Sequence, residues 1–215
     1  MSMTGTRSGR LIALEGPDGG GKTTQAERLI AWLRTIVPNV VACRDPGGTS
    51  LGGQLRHILL DRSSTTIGMR AEMLLYMASR AQLVDEVISP AIQEGAIVVT
   101  DRFLLSNVVY QGYAGGLEVD EVWSVGRTAT GGLMPDLTLL LDVPPEVATA
   151  RVGPPRDRIE ERDGEYRQRV RRGYLTACSS MPTPCILIDA SREAGEVEAH
   201  IRKEVSRALG IGSGS

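Results

Sequence analysis

Gly16-Pro17-Asp18-Gly19-Gly20-Gly21-Lys22-Thr23 is the stretch that decides the fold. It fits G-x-x-x-x-G-K-[ST]. The apolar run Leu11-Ile12-Ala13-Leu14 precedes it and reads as a buried strand, while Leu29, Leu33, Ile36 and Val37 follow at helical spacing. Strand, glycine-rich turn and helix form the context this motif requires. The glycines let main-chain N–H groups converge on an anion, and the helix N-terminus adds partial positive charge. Gly16, Pro17, Asp18, Gly19, Gly20 and Gly21 would cradle the phosphates of a nucleoside triphosphate. Lys22 would reach the outer phosphates, and the Thr23 hydroxyl would ligate Mg²⁺. A purely structural turn would leave the terminal Lys-Thr unexplained.

Outward from the loop, short apolar runs alternate with helical patterns. Val40–Cys43, Ala96–Thr100, Leu137–Leu141 and Cys185–Ile188 read as strands. Met69–Glu94, and Val197, Ile201, Val205 and Leu209 at four-residue spacing, read as helices. This alternation predicts an α/β fold: a five-stranded parallel sheet of the P-loop NTPase kind with helices on both faces. Ligands in such sheets sit beyond the carboxyl ends of the strands, so the functional residues should gather along one edge.

The 215 residues suit one domain, expected over residues 10–209, with 1–9 and 210–215 as loose ends. A net charge of −2 gives no case for nucleic-acid or membrane partners. No apolar run approaches a membrane span, and the polar first nine residues do not read as a signal peptide, so the cytoplasm is expected. Cys43, Cys178 and Cys185 have no C-x-x-C spacing and imply neither a disulfide framework nor a zinc site. His57 and His200 are isolated and read as surface or packing residues.

Two strand ends carry charge. Ile97-Val98-Val99-Thr100-Asp101-Arg102 brings a carboxylate and a guanidinium toward the phosphate loop. Asp101 could hold Mg²⁺ through water, and Arg102 could clamp a phosphate. Arg44-Asp45-Pro46-Gly47-Gly48-Thr49 follows Val40–Cys43. By itself it is a turn, but with Arg44 before it and Arg56 after it the segment could meet an acceptor phosphate. Glu72, Tyr76 and Arg80 share one helix face, where a ring beside an arginine can stack on a base and bond its edge. Phe103, Asn107, Tyr110 and Gln111 share a face on the next helix, so a pocket between the two is expected.

In combination these residues resemble the thymidylate kinase family of the bacterial kind, from about Arg10 to Leu209. Leu74-Leu75-Tyr76-Met77-Ala78-Ser79-Arg80-Ala81-Gln82 is similar to the family's L-L-F-A-A-x-R-x-Q. Asp101-Arg102-Phe103, Ser106 and Tyr110-Gln111-Gly112 are similar to its D-R-Y-x-x-S-x-x-Y-Q-G. Met134–Thr138, Asp157-Arg158-Ile159-Glu160 and Ile188-Asp189-Ala190 also match. Asp45 stands where the family usually has Glu, and Gly53 where relatives often carry Glu. The segment 151–158, the expected lid, is about two residues shorter than in common relatives and is stiffened by Pro154-Pro155.

The resemblance implies a set of roles. Tyr76 would stack on thymine and Arg80 would donate to its O4. Asp18 would hold the 3′-hydroxyl, and Tyr110, helped by Asn107, would crowd the 2′ position. Gln111 would sit near the base. Arg102, with Arg44 and Arg56, would hold the acceptor phosphate. Adenine would lie between the lid and the loop after the fifth strand. The phosphate loop carries no arginine, so the catalytic cation would come from the lid, with Arg156 and Arg158 as candidates and Arg151 beside them. Arg167, Arg169, Arg171 and Arg172 read mainly as a solvated face.

The implied reaction moves the γ-phosphoryl of ATP to dTMP, with Mg²⁺ as cofactor and Lys22, Asp101, Arg102, Arg156 and Arg158 as catalytic residues, in a homodimer. A dUMP or modified-pyrimidine kinase is the alternative, and a non-catalytic nucleotide-binding module a further one. No N-K-x-D string supports a regulatory GTPase. Ser50-Leu51-Gly52-Gly53-Gln54 lies too close after the phosphate loop to be a transport-ATPase signature. For a deoxynucleoside kinase Asp101 could act as base, but the phosphate-gripping arginines favour a monophosphate acceptor.

Overall fold

The central strand of the sheet is β1 (Arg10–Glu15), whose side chains from Leu11 to Glu15 are all inaccessible to water. An unbroken apolar run suits this position, because both faces of a parallel sheet are covered. The computed structural model describes residues 9–61, 66–152, 159 and 162–211. Among them β2 (Val40–Arg44), β3 (Ile97–Asp101), β4 (Leu137–Asp142) and β5 (Cys185–Asp189) complete a parallel sheet of order β2-β3-β1-β4-β5. The expected strands are all present, each within a residue of its predicted ends.

The helices are α1 (Lys22–Ile36), α2 (Ser50–Leu60), α3 (Met69–Leu83), α4 (Ser89–Gln93), α5 (Leu104–Asn107), α6 (Val119–Ala129), α7 (Pro145–Val152), α8 (Gly164–Ser179) and α9 (Ala194–Leu209). One face of the sheet is covered by Leu29 and Leu33 of α1 with Val197, Ile201 and Val205 of α9. Met73, Met77, Leu83, Leu104 and Val122 cover the other. A buried Leu or Val of this kind is worth roughly 1.5–3 kcal/mol over its exposed state. The helical pattern over 69–94 is continuous but not uniform: a wider π-type turn, Val84–Ile88, joins α3 to α4. A second, Val108–Tyr113, extends α5.

Register fixes the site. Leu14 pairs with Asp101 and Asp101 with Arg44, so β1, β3 and β2 end level with one another. The chain leaves β1 into the phosphate loop and β3 into Arg102, side by side.

Two expectations need correction. Cys178 and Cys185 form a disulfide between the last turn of α8 and the start of β5, with their Cα atoms 5.5 Å apart. Their sequence spacing matches no motif; the turn from α8 into the sheet brings them together. Gly9, placed among the loose N-terminal residues, is buried and donates its N–H to the Ile92 carbonyl at 3.1 Å. No helix among the described residues is long and apolar enough to cross a membrane.

Candidate active site

The phosphate loop closes over β1 with little room to spare. Gly16 and Gly19 have φ of 140° and 78°, and a Cβ at either would lie 2.4 or 2.3 Å from the carbonyl oxygen of Leu141 or Ala148. Only glycine meets both demands. Gly21, the residue before α1, also has positive φ, and no side chain caps that helix. The first N–H groups of α1 are therefore left for an anion rather than for a side-chain oxygen. Lys22, buried, folds back so that its Nζ donates to the Pro17 carbonyl at 2.7 Å.

Opposite the loop stands Arg102, among the described residues the one non-glycine at positive φ, 71°. A bulky side chain in that region is strained by roughly 1–3 kcal/mol. Its N–H donates to the Leu14 carbonyl at 2.9 Å, and the Thr100 hydroxyl donates to its carbonyl at 2.8 Å, which holds the turn. The guanidinium thereby reaches Gly16 O at 2.9 Å, Ser106 Oγ and Tyr174 Oη each at 3.0 Å, and the Asp18 carboxylate. Beside it, the Thr23 hydroxyl donates to Asp101 Oδ2 at 2.7 Å.

Glu15 supports this arrangement from below. Its Oε1 accepts from the N–H groups of Phe103 (2.9 Å) and Ser106 (3.3 Å), and its Oε2 accepts from the Ser106 hydroxyl at 2.5 Å. Burial raises its pKa, against the lowering effect of Ser106 and Arg102. Burial acts on Asp18 in the same direction, but Arg102, Lys22 and the Tyr110 hydroxyl outweigh it and hold that carboxyl at about 2. Lys22 is pushed down to about 8, by burial first and by Arg102 second.

A broad cleft opens from the phosphate loop. Asp18, Lys22, Thr23, Arg44, Arg56, Tyr76, Arg80, Asp101, Arg102, Asn107, Tyr110 and Gln111 all line it, so the predicted acceptor and donor residues converge. Two of them are occupied in ways the sequence did not foretell. Arg80, 1 % exposed, is held by Asp45 (Nε to Oδ2, 2.5 Å), by the Phe103 carbonyl and by the Phe103 ring. Arg56 donates to the Pro46 carbonyl at 3.2 Å. Phe103 does not share the pocket face with Asn107, Tyr110 and Gln111; it is extended and packs into the core ahead of α5.

At another wall of the cleft, Gln111 Nε2 donates to Glu72 Oε1 at 2.8 Å, and Asn107 Nδ2 donates to Gln111 Oε1 at 2.9 Å. Arg162, just before α8, reaches both Glu72 oxygens at 2.9 and 2.8 Å and lies over the Tyr166 ring. Tyr110 donates to Asp18 Oδ2 at 3.0 Å. Arg156 and Arg158, with positions 153–158 of the expected lid, lie outside the described residues. Arg151 ends α7 and donates to the Ala190 carbonyl at 2.8 Å, beside the loop after β5. The basic run on α8 is not simply solvated: Arg171 pairs with Asp142 through two bonds of 2.8 Å, and Arg169 donates to the Ala114 carbonyl.

Glu15, Tyr174 and Arg162 were missed as site residues. Glu15 looked like the polar end of a strand, and Tyr174 and Arg162 lie far along the chain. The one available sign was Ser106 in the D-R-x-x-x-S pattern, which places a hydroxyl one helical turn beyond Arg102.

Comparison with known proteins follows the same line. A family model described as thymidylate kinase matches residues 14–201. The chain is 43% identical over 199 residues to the thymidylate kinase of Symbiobacterium thermophilum, covering 92% of this chain and 93% of that one. It is 45% identical over 205 residues to that of Leifsonia xyli subsp. xyli, covering 94% and 97%. The crystal structure of thymidylate kinase from Ehrlichia chaffeensis superposes with a TM-score of 0.75 at 29% identity, covering 92% of this chain and 98% of that one.

Proposed function

The chain belongs to the thymidylate kinase family, and from that premise we infer that it is a nucleoside monophosphate kinase that converts dTMP and ATP to dTDP and ADP. The observation that carries the reading is the convergence of Lys22 and Arg102 on one cleft. Two cations, one from the donor loop and one from the neighbouring strand end, line it together with Asp18, which pairs with Arg102. A cleft lined by two such cations suits two phosphorylated ligands end to end, where transfer depends on positioning and charge neutralisation.

Lys22 leaves the Pro17 carbonyl to bind the β- and γ-phosphates of ATP, among the free N–H groups of α1. Arg102 holds the acceptor phosphate with Arg44 and Arg56 beside it. Tyr76 covers one face of the base, and Arg80, fixed by Asp45, addresses its edge. Asp18 binds the 3′-hydroxyl, with Tyr110 filling the 2′ side. Asn107 lines the cleft, and its buried Oδ1 has no hydrogen-bond partner among the described residues. An N–H on the substrate base satisfies it, and thymine offers one at N3. Arg156 and Arg158, assigned from sequence alone, supply positive charge over the group in flight.

The donor set beside the loop fits Mg²⁺. Thr23 and Asp101 present a hydroxyl and a carboxylate in hydrogen-bond contact, hard oxygen ligands of the kind this ion prefers. When bound there with ATP, the ion neutralises phosphate charge.

We read residues 10–209 as one catalytic domain that works as a homodimer in the cytoplasm. Leu51, Ile58 and Leu74, each 44–50 % exposed on α2 and α3, support a partner surface. The test is an ADP-release assay across dTMP, dUMP, dCMP, UMP and thymidine. Highest kcat/KM with dTMP is expected; equal use of thymidine, or no turnover with any of them, would overturn the reading.

A further inference from the structure

We propose that Glu72 and Arg162 are positioning residues that set the polarity of the Gln111–Asn107 amide pair, and thereby make the cleft accept an N–H from the substrate base rather than donate to a bare ring nitrogen. This rests on the dTMP-kinase reading above.

The argument starts from a buried acid. Glu72 is 0 % exposed, and Arg162 Nη2 bonds both its oxygens. A carboxylate paired this way has no proton to give and can only accept. Gln111 must then turn its Nε2 toward Glu72, and it does, at 2.8 Å. Its Oε1 is left facing Asn107, so Asn107 must supply Nδ2, at 2.9 Å. That leaves Asn107 Oδ1 as the unbonded end of the relay, on a residue that lines the cleft. Asn107 as a whole is 2 % exposed, and no described residue bonds this oxygen. Each amide orientation is thus fixed by the charge at the far end of the chain.

The consequence is chemical selection. Thymine carries a hydrogen at N3, which Oδ1 accepts, whereas cytosine carries a lone pair there, which Oδ1 repels. If the far end could also donate, both amides could turn over and present Nδ2 to the cleft, a match for cytosine. Leaving buried polar groups mispaired is what makes hydrogen-bonding sites selective. Arg162 comes from the segment preceding α8, so a residue beyond the pocket wall holds the switch in one position.

The test compares kcat/KM for dTMP and dCMP in the wild-type enzyme and in Glu72→Gln, whose amide can donate or accept. The dTMP:dCMP ratio should fall about tenfold or more, while KM for ATP stays within about twofold. An unchanged ratio, or equal loss with both nucleotides, would overturn the proposal, since a merely structural role lowers both together. Should Glu72→Gln fail to fold, Arg162→Gln is measured in its place and the same two outcomes decide. Wild-type enzyme without any preference for dTMP would instead count against the function itself.

Discussion

The Lys22 ammonium donates to the Pro17 carbonyl at 2.7 Å, so the cation proposed to bind phosphate rests on the backbone of its own loop. Burial and the nearby Arg102 hold its pKa down at about 8, below the ordinary 10.5. Phosphate oxygens favour the ammonium, so ATP binding near pH 8 should take up a proton. Calorimetry in two buffers of different ionisation heat reads this directly; no uptake, or the same uptake in Lys22→Met, would contradict it. The sign for stability follows. The folded protein binds fewer protons here than the unfolded chain between about pH 8 and 10.5, so the cost of burying this charge is full below 8 and eases as pH rises through that window.

Arg102→Ala should lower kcat/KM for dTMP by about a thousandfold, the scale of a lost arginine in phosphoryl transfer. Its guanidinium partners are the Gly16 carbonyl, Ser106, Tyr174 and Asp18, and none of these bonds belongs to the sheet ladder. Far-UV dichroism should therefore stay native. Activity within about tenfold of wild type would remove Arg102 from the role given to it.

Tyr110 fills space beside Asp18, donating to Oδ2 at 3.0 Å, with its ring edge-on to Tyr166 and Tyr174. Tyr110→Ala should open the 2′ side and raise the ribo-to-deoxy ratio of kcat/KM about tenfold for thymidine-type monophosphates, the usual scale for a steric pocket. Kinetics with both sugars measures it, and an unmoved ratio would rule out steric exclusion.

The Cys178–Cys185 bond spans a sequence separation of only 7. Closing so short a loop removes little chain entropy, roughly 2.5 kcal/mol on a loop-closure estimate. Thermal unfolding with and without reductant should differ by about 5–10 °C for a chain of this size. Cys178→Ser without reductant should match the reduced wild type. Identical melting under both conditions would show that the bond does not contribute. In a reducing cytoplasm the pair would be held as thiols.

What could be read in advance was whatever depends on neighbours in sequence. Gly16 to Thr23 carries its own geometry, and the apolar runs announced every strand. Asp101-Arg102 was legible because a parallel strand must end where ligands bind. What escaped depends on contacts across long separations. Glu15 finds Ser106 across 91 residues, and Arg162 finds Glu72 across 90. Arg80 lines the cleft from the expected helix face, but its bond to Asp45, 35 residues away, was not legible in the sequence. Cys178 and Cys185 were invisible because proximity came from a turn rather than from a pattern. Even the π-type turn at Val84–Ile88 was hidden, since one extra residue per turn leaves the apolar rhythm almost intact.

The pairing of Leu14 with Asp101 has a practical implication for protein engineering. The phosphate loop and its opposing arginine are exported from adjacent strands of one ladder, so neither is a portable module. Grafting residues 16–23 alone into another scaffold would transfer the grip on a nucleotide without the counter-charge that faces it. A transplant that keeps function would have to move both strands together, in register.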